Sequence, residues 1–123
     1  MQSKNTWVVV ANGSMARIFN LSKDLLSEVE VLVHPEARKH TRELISEGSP
    51  QKNELEHFAK EVAQHLELAH GKNLFQGLHV IASPAFLGLL RHSLHAATKK
   101  SVLSELSKDL VEESPLQIRS YLA

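Results

Sequence analysis

The sequence predicts an α/β fold, a five-stranded mixed sheet with three helices in the order β-β-β-α-β-α-β-α. Three observations carry this. Trp7-Val8-Val9-Val10-Ala11 is continuously apolar and rich in β-branched residues, as a strand covered on both faces should be. Asn12-Gly13 follows at once and leads into a second strand-like run, so the chain opens on a hairpin. Beyond Asn53 the apolar spacing becomes helical, and helical and strand-like runs then alternate to the end of the chain.

Taken in order, Asn12-Gly13 suits a type I′ turn, which needs positive φ at both central residues. The return strand is Met15 to Phe19. A third strand runs from about Glu28 to Val33, with Val29, Val31 and Val33 on one face and Glu28 and Glu30 on the other. That alternation leaves one face partly wet, as at a sheet edge. From His34 to Lys52 the periodicity disappears among charged residues, Pro35, Gly48 and Pro50. This stretch reads as a long loop with a helical turn near Arg42 to Ile45, and loops of that length are usually functional or mobile. Asn53 is placed to cap a helix carrying Leu55, Phe58, Ala59, Val62, Leu66 and Ala69, with Gly71 as its stop.

Leu78 to Ala82 is a fourth strand. Ser83-Pro84 opens a second helix, the Ser83 hydroxyl as cap and Pro84 at the first helical position, with Leu87, Leu90 and Leu94 facing inward. Ser101 to Leu106 is a fifth strand and Pro115 to Leu122 a closing helix. Right-handed crossovers make strands one, four and five parallel, with strand two antiparallel beside strand one. The resulting order, 3-2-1-4-5, is the ribonuclease H-like arrangement.

A chain of 123 residues is read as one domain over 1–123. Its 42% hydrophobic content supports a real core and excludes a disordered chain. Lys plus Arg equals Asp plus Glu at 14 each, so attraction to nucleic acid or an anionic membrane would need a local patch. The absence of cysteine excludes a disulfide framework, thiolate catalysis and cysteine-ligated zinc. With no signal-like start and no apolar run of membrane length, the expected location is the cytoplasm, without membrane association and without a cofactor.

The fold suggests a test for catalysis. Nucleases with this arrangement clamp two divalent metals with carboxylates, one on the first strand and others on the first helix and the fourth strand. Trp7–Ala11 and Leu78–Ala82 contain none, so the chain is expected not to be an enzyme of that kind. His57, Glu61 and His65 share a helix face, but the two histidines are about 12 Å apart by helical rise and read as a polar stripe. His92 and His95 read as solvent-facing, and His79 as a core or second-face residue with a satisfied nitrogen. Ser83 lacks the G-x-S-x-G context of a nucleophile, and Ser14 is a turn residue. A hydrolase would require a carboxylate cluster such as Glu36, Glu54 and Asp109 around an ion.

Two candidate binding surfaces remain, and for both an anion or RNA is the ligand class. One is the cationic segment Arg38-Lys39-His40-Thr41-Arg42, weighed against an ordinary solvated loop. The other is the rim where Asn12, Gly13 and Ser83 should meet at the start of the second helix, an amide-rich position suited to anions. Arg91, Lys99 and Lys100 are candidates to add charge further along that helix and the following turn, Arg91 standing at mid-helix.

Several blocks in order resemble the bacterial host attachment protein family, "protein required for attachment to host cells". The run Trp7 to Phe19 resembles its V-V-x-A-(N/D)-(G/S)-x-x-A-R-(I/L)-F opening, and His34-Pro35-Glu36-Ala37-Arg38 its next block. Phe58 to Ala63 resembles the F-A-x-x-(I/L)-A helix, Val80 to Arg91 the A-x-P-x-x-L-G-x-L-R stretch, and Glu105 to Leu110 the E-(I/V)-x-K-D-L ending. The family's D-R-x-G-R-like central segment has no counterpart in Leu44 to Lys52. The family is similar in fold to the middle domain of archaeal and eukaryotic peptide-chain release factors, where a Gly-Gly-Gln loop positions water for peptidyl-tRNA hydrolysis. Here His34 to Lys52 contains no Gly-Gly-Gln; Gly48 is its only glycine and Gln51 stands apart. The resemblance implies a non-catalytic binding protein with an indirect effect on attachment. The alternative is an RNA- or ribosome-associated module. Candidate partners are RNA or the ribosome, another protein, or a second copy of the chain.

Overall fold

The computed structural model describes residues 5–34 and 52–122. In chain order its elements are β1 (Thr6–Ala11), β2 (Met15–Ser22), β3 (Leu25–Val33), α1 (Lys52–Gly71), β4 (Gly77–Ala82), α2 (Pro84–Ser93), α3 (Ala96–Lys100), β5 (Val102–Ser107) and α4 (Pro115–Ser120). The sheet order is β3-β2-β1-β4-β5. β2 is antiparallel to both neighbours, and β4 is parallel to β1 and β5. This is the expected ribonuclease H-like topology. The described residues hold a fourth helix, because the helix opened at Pro84 does not run on. Leu94 leaves helical geometry (φ −77°, ψ 141°) and drops into the core, and the chain restarts a short helix at Ala96.

The alternation of side chains divides the sheet into two faces. Trp7, Val9, Ala11, Ala16, Ile18, Leu78, Val80 and Ala82 lie on the first face, under Phe58, Val62 and Leu66 of α1 and Phe86, Leu87 and Leu90 of α2. Val8, Val10, Phe19 and Ile81 lie on the second face. There the chain returning after β5 covers them with Leu110, Val111 and Ile118. β1 is therefore buried on both sides, which is why its sequence is continuously apolar.

The left-handed two-residue turn falls in the second hairpin, not at Asn12-Gly13. Neither Asn12 nor Gly13 has positive φ, so the first turn is not type I′. It is closed by the Asn12 side chain, whose Oδ1 accepts from the Ser14 and Met15 amides at 2.8 and 3.0 Å, while Asn12 N–H donates to Met15 O at 2.9 Å. Gly13 lies against α1: a Cβ there would stand 2.4 Å from Leu55 Cδ2, so the end of that half-buried side chain would have to shift. The left-handed pair is Lys23 (φ 50°) and Asp24 (φ 69°), a two-residue turn between the paired Ser22 and Leu25. β3 accordingly starts at Leu25 rather than Glu28.

A bulge between Ile18 and Phe19 also breaks the alternation read for β3. Glu28 pairs with Phe19 and Val31 with Arg17, so Glu28 and Val31 share the second face. Two caps differ as well. Asn73 (φ 61°), not Gly71, takes the left-handed position after α1. The Ser83 side chain makes no capping hydrogen bond; its carbonyl accepts from Phe86 and Leu87 N–H, whereas Ser114 Oγ does cap α4 by accepting from Gln117 N–H at 3.2 Å. No helix among the described residues is long and apolar enough to cross a membrane.

Candidate functional site

Parallel pairing of Ala11 with Ala82 brings the ends of β1 and β4 to one rim, and Ser83 N–H donates to Ala11 O at 3.1 Å. Asn12, Gly13 and Ser83 thus meet as the topology requires. A carboxylate also occupies this rim. Asp109 accepts from Asn12 Nδ2 at 3.1 and 3.3 Å and from Val111 N–H at 3.3 Å. A negative group bonded there opposes the anion that the amides alone would favour.

The expected cations are elsewhere. Arg91 is held across to β5 by Glu105, with Nε to its two oxygens at 3.0 and 3.2 Å and Nη2 to Oε1 at 2.5 Å. The hydrogen bond from Arg91 draws the Glu105 carboxyl below its usual value, and the same bond raises Arg91 further. Lys99 and Lys100 precede Val102, which lies beside Leu78 at the start of β4, the opposite end of the sheet from the rim. The structure therefore does not bring Arg91, Lys99 or Lys100 to Asn12 and Ser83. Arg38, Lys39, Arg42 and Glu36 lie outside the described residues.

Among the described residues no group of three His, Asp or Glu side chains is placed to hold a metal ion. His65 Nε2 donates to Glu30 Oε1 at 2.7 Å, joining α1 to β3. The His95 amide donates to Glu67 Oε2 at 2.5 Å. His79 faces the second side of the sheet with Nδ1 2.6 Å from Ser104 Oγ. Burial and, after it, the Arg119 charge push His79 below the usual imidazole value.

His34 is a residue whose position the sequence did not disclose. Its ring is buried, stacks on Phe58 with centroids 4.9 Å apart and planes 5° apart, and donates from Nδ1 to Gly13 O at 3.0 Å. It fastens the Asn12–Ser14 turn to α1. The His-Pro dipeptide marks a strand end but says nothing of a ring partner in a distant helix.

Both outer strands leave side chains uncovered among the described residues: β5 exposes Leu103 at 60%, and the longer β3 exposes a row of valines in its second half. β3 exposes Val29, Val31 and Val33 at 49%, 42% and 38%. The phase of its ladder fixes where the backbone points. His34 N–H donates to Ser14 O at 2.9 Å, so alternation makes Ala16–Leu32 hydrogen-bonded and Met15–Val33 and Arg17–Val31 not. Val31 and Val33 consequently turn their N–H and C=O groups away from β2, toward the open edge. The two glutamates that could guard this edge are engaged: Glu28 by Arg17 Nε and Nη2 at 3.0 and 3.2 Å, and Glu30 by His65.

Comparison with known structures places this sheet among established architectures. The archaeal translation termination factor aRF1 matches 94% of this chain and 33% of its own, with a TM-score of 0.54 and 14% identity. A type II variant of the Aquifex aeolicus Ppx/GppA phosphatase matches 85% of this chain and 35% of its own, with a TM-score of 0.51 and 11% identity. The chain thus spans about a third of the length of either, and at these identities the likeness is one of fold. No curated protein matches the sequence. The family model described as "Protein required for attachment to host cells" matches residues 7–54 and 46–122, and the chain belongs to that family.

Proposed function

We propose that this member of the family is a non-catalytic binding module that engages another protein through the free edge of β3, and that its effect on attachment to host cells is indirect. The observation that carries this reading is the exposed valine edge with outward-facing backbone at Val31 and Val33. Strand addition to such an edge supplies main-chain hydrogen bonds for affinity and side-chain contacts for selectivity. The Asp109 carboxylate at the Asn12 rim and the Arg91–Glu105 pair argue against an anion site at the end of the parallel strands. The alternative, an RNA- or ribosome-associated module, draws its support from the Arg38-Lys39-His40-Thr41-Arg42 segment.

One experiment separates the two. Cells lacking this protein are complemented with wild type, with Val31→Lys, or with Arg38, Lys39 and Arg42 all changed to Ala, and scored for attachment. The proposed reading expects Val31→Lys to fail and the triple variant to succeed. The reverse pattern, together with salt-sensitive co-sedimentation with ribosomes that the triple variant abolishes, would establish the RNA reading instead.

A further inference from the structure

We propose that Asn12 is a site of spontaneous covalent modification: it loses its side-chain amide through a cyclic imide with Gly13, and the carboxylate so formed opposes Asp109 and loosens the cover over the second face. None of this requires the β3 edge to bind a partner.

Among Asn5, Asn12, Asn20, Asn53 and Asn73, Asn12 alone precedes a glycine. With no side chain on Gly13, its nitrogen can turn toward the Asn12 side chain unhindered. The turn presents both reactants. Gly13 N–H has no hydrogen-bond partner among the described residues, whereas Asn12 Oδ1 accepts from Ser14 and Met15 N–H at 2.8 and 3.0 Å. Those two bonds fold the side chain back over the peptides that follow it. They also point at the oxygen on which negative charge develops when a nucleophile adds to Cγ. Asn12 and Gly13 are half-buried and Ser14 is exposed, so water reaches the rim.

In the reaction the Gly13 nitrogen adds to Cγ and the Cγ–Nδ2 bond breaks. The Gly13 amide proton departs with Nδ2 as ammonia, and the imide closes. Water then opens the ring at either carbonyl. Breaking the bond to Cγ restores the main chain with aspartate, and breaking the bond to the Asn12 main-chain carbonyl leaves isoaspartate. Nothing is oxidised or reduced.

Either product removes the donor that holds Asp109. In aspartate an oxygen takes the place of Nδ2, which lies 3.1 and 3.3 Å from the two Asp109 oxygens. Two carboxylates so close repel when both are ionised. Asp109 is the first tie of the segment that lays Leu110, Val111 and Ile118 on the second face. Its other ties are Arg17 to the Val111 and Glu113 carbonyls and Arg119 to Asp24. Repulsion at Asp109 therefore lifts the cover from its leading end and leaves the helices of the first face in place.

Two measurements test this. The purified, folded protein is held at neutral to mildly alkaline pH, and peptide maps taken over time follow the mass change from amide to acid and the isoaspartyl isomer. Conversion should appear at Asn12 ahead of every other asparagine. An Asn12 that keeps its amide in the folded protein, whatever happens in a denatured control, would overturn the assignment. Asn12→Asp supplies the product directly and should quicken amide exchange between residues 108 and 122 by about tenfold or more while α1 keeps its protection. Asn12→Asp combined with Asp109→Asn restores one amide and one carboxylate with their roles exchanged. Exchange should then return to the wild-type rate, an outcome general misfolding would not produce. Unchanged exchange in Asn12→Asp, or a double variant no better than the single one, would overturn the coupling to the cover.

Discussion

The two faces of the sheet are held in different ways. The first is sealed by two helices that bring Phe58 and Phe86 onto the strands, with Phe75 beside Trp7 at a centroid distance of 5.0 Å. The second is covered by a returning segment that contributes Leu110, Val111 and Ile118 and is tied down by polar contacts. Arg17 Nη1 donates to the Val111 and Glu113 carbonyls at 2.9 and 2.8 Å, Asn12 bonds Asp109, and Arg119 pairs with Asp24. Burial stabilises the first face and directional bonds position the cover on the second. The valines of β3 remain exposed while the centre of the second face is covered. One sheet thus provides a core on one side and an accessible margin on the other.

The largest effect should come from the first face. Phe58→Ala removes a fully buried ring from contact with His34 and Phe86, and should cost about 3–5 kcal/mol in denaturant unfolding. A loss typical of a surface substitution would mean that α1 does not seal the sheet as described. Arg17→Ala acts on the second face and should cost less, about 1.5–3 kcal/mol, because it strands two carbonyls and frees Glu28. Its sharper signature is local: amide exchange should quicken between residues 108 and 122 while α1 keeps its protection. Uniform loss of protection across both regions would erase the distinction between the faces.

Strand order and the continuously buried β1 were legible because apolar runs and their spacing are local signals. What sequence hid was set by long-range packing. The Asn12-Gly13 pair pointed to a left-handed turn, yet neither residue has positive φ there and the asparagine closes the loop with its own amide oxygen. Lys23-Asp24 adopts the left-handed turn with a pair weaker in that preference than Asn-Gly, so the start of β3 was missed. The bulge at Ile18–Phe19 then moved Glu28 to the face of Val31. The meeting of Asn12 with Ser83 followed from topology, but the arrival of Asp109 depended on the path after β5, and the pairing of Arg91 with Glu105 on which sides α2 and β5 present to each other.

The smallest expected effect probes how wet the second face is. His79 lies there on β4, its imidazole held below the usual value by burial and then by Arg119. The unfolded chain, with an ordinary histidine near about 6.5, therefore takes up the proton first as the pH falls. Its contribution to stability is fully present above that value and is lost progressively as the pH drops through it toward the lower folded value. Because the ring is partly exposed, solvent screening limits the change to under about 1 kcal/mol. Denaturant midpoints measured from neutral to mildly acidic pH should fall more steeply for wild type than for His79→Gln. Parallel curves would mean that the Ser104 side of the sheet is solvated in both states, and that the cover over the second face ends before it reaches β5.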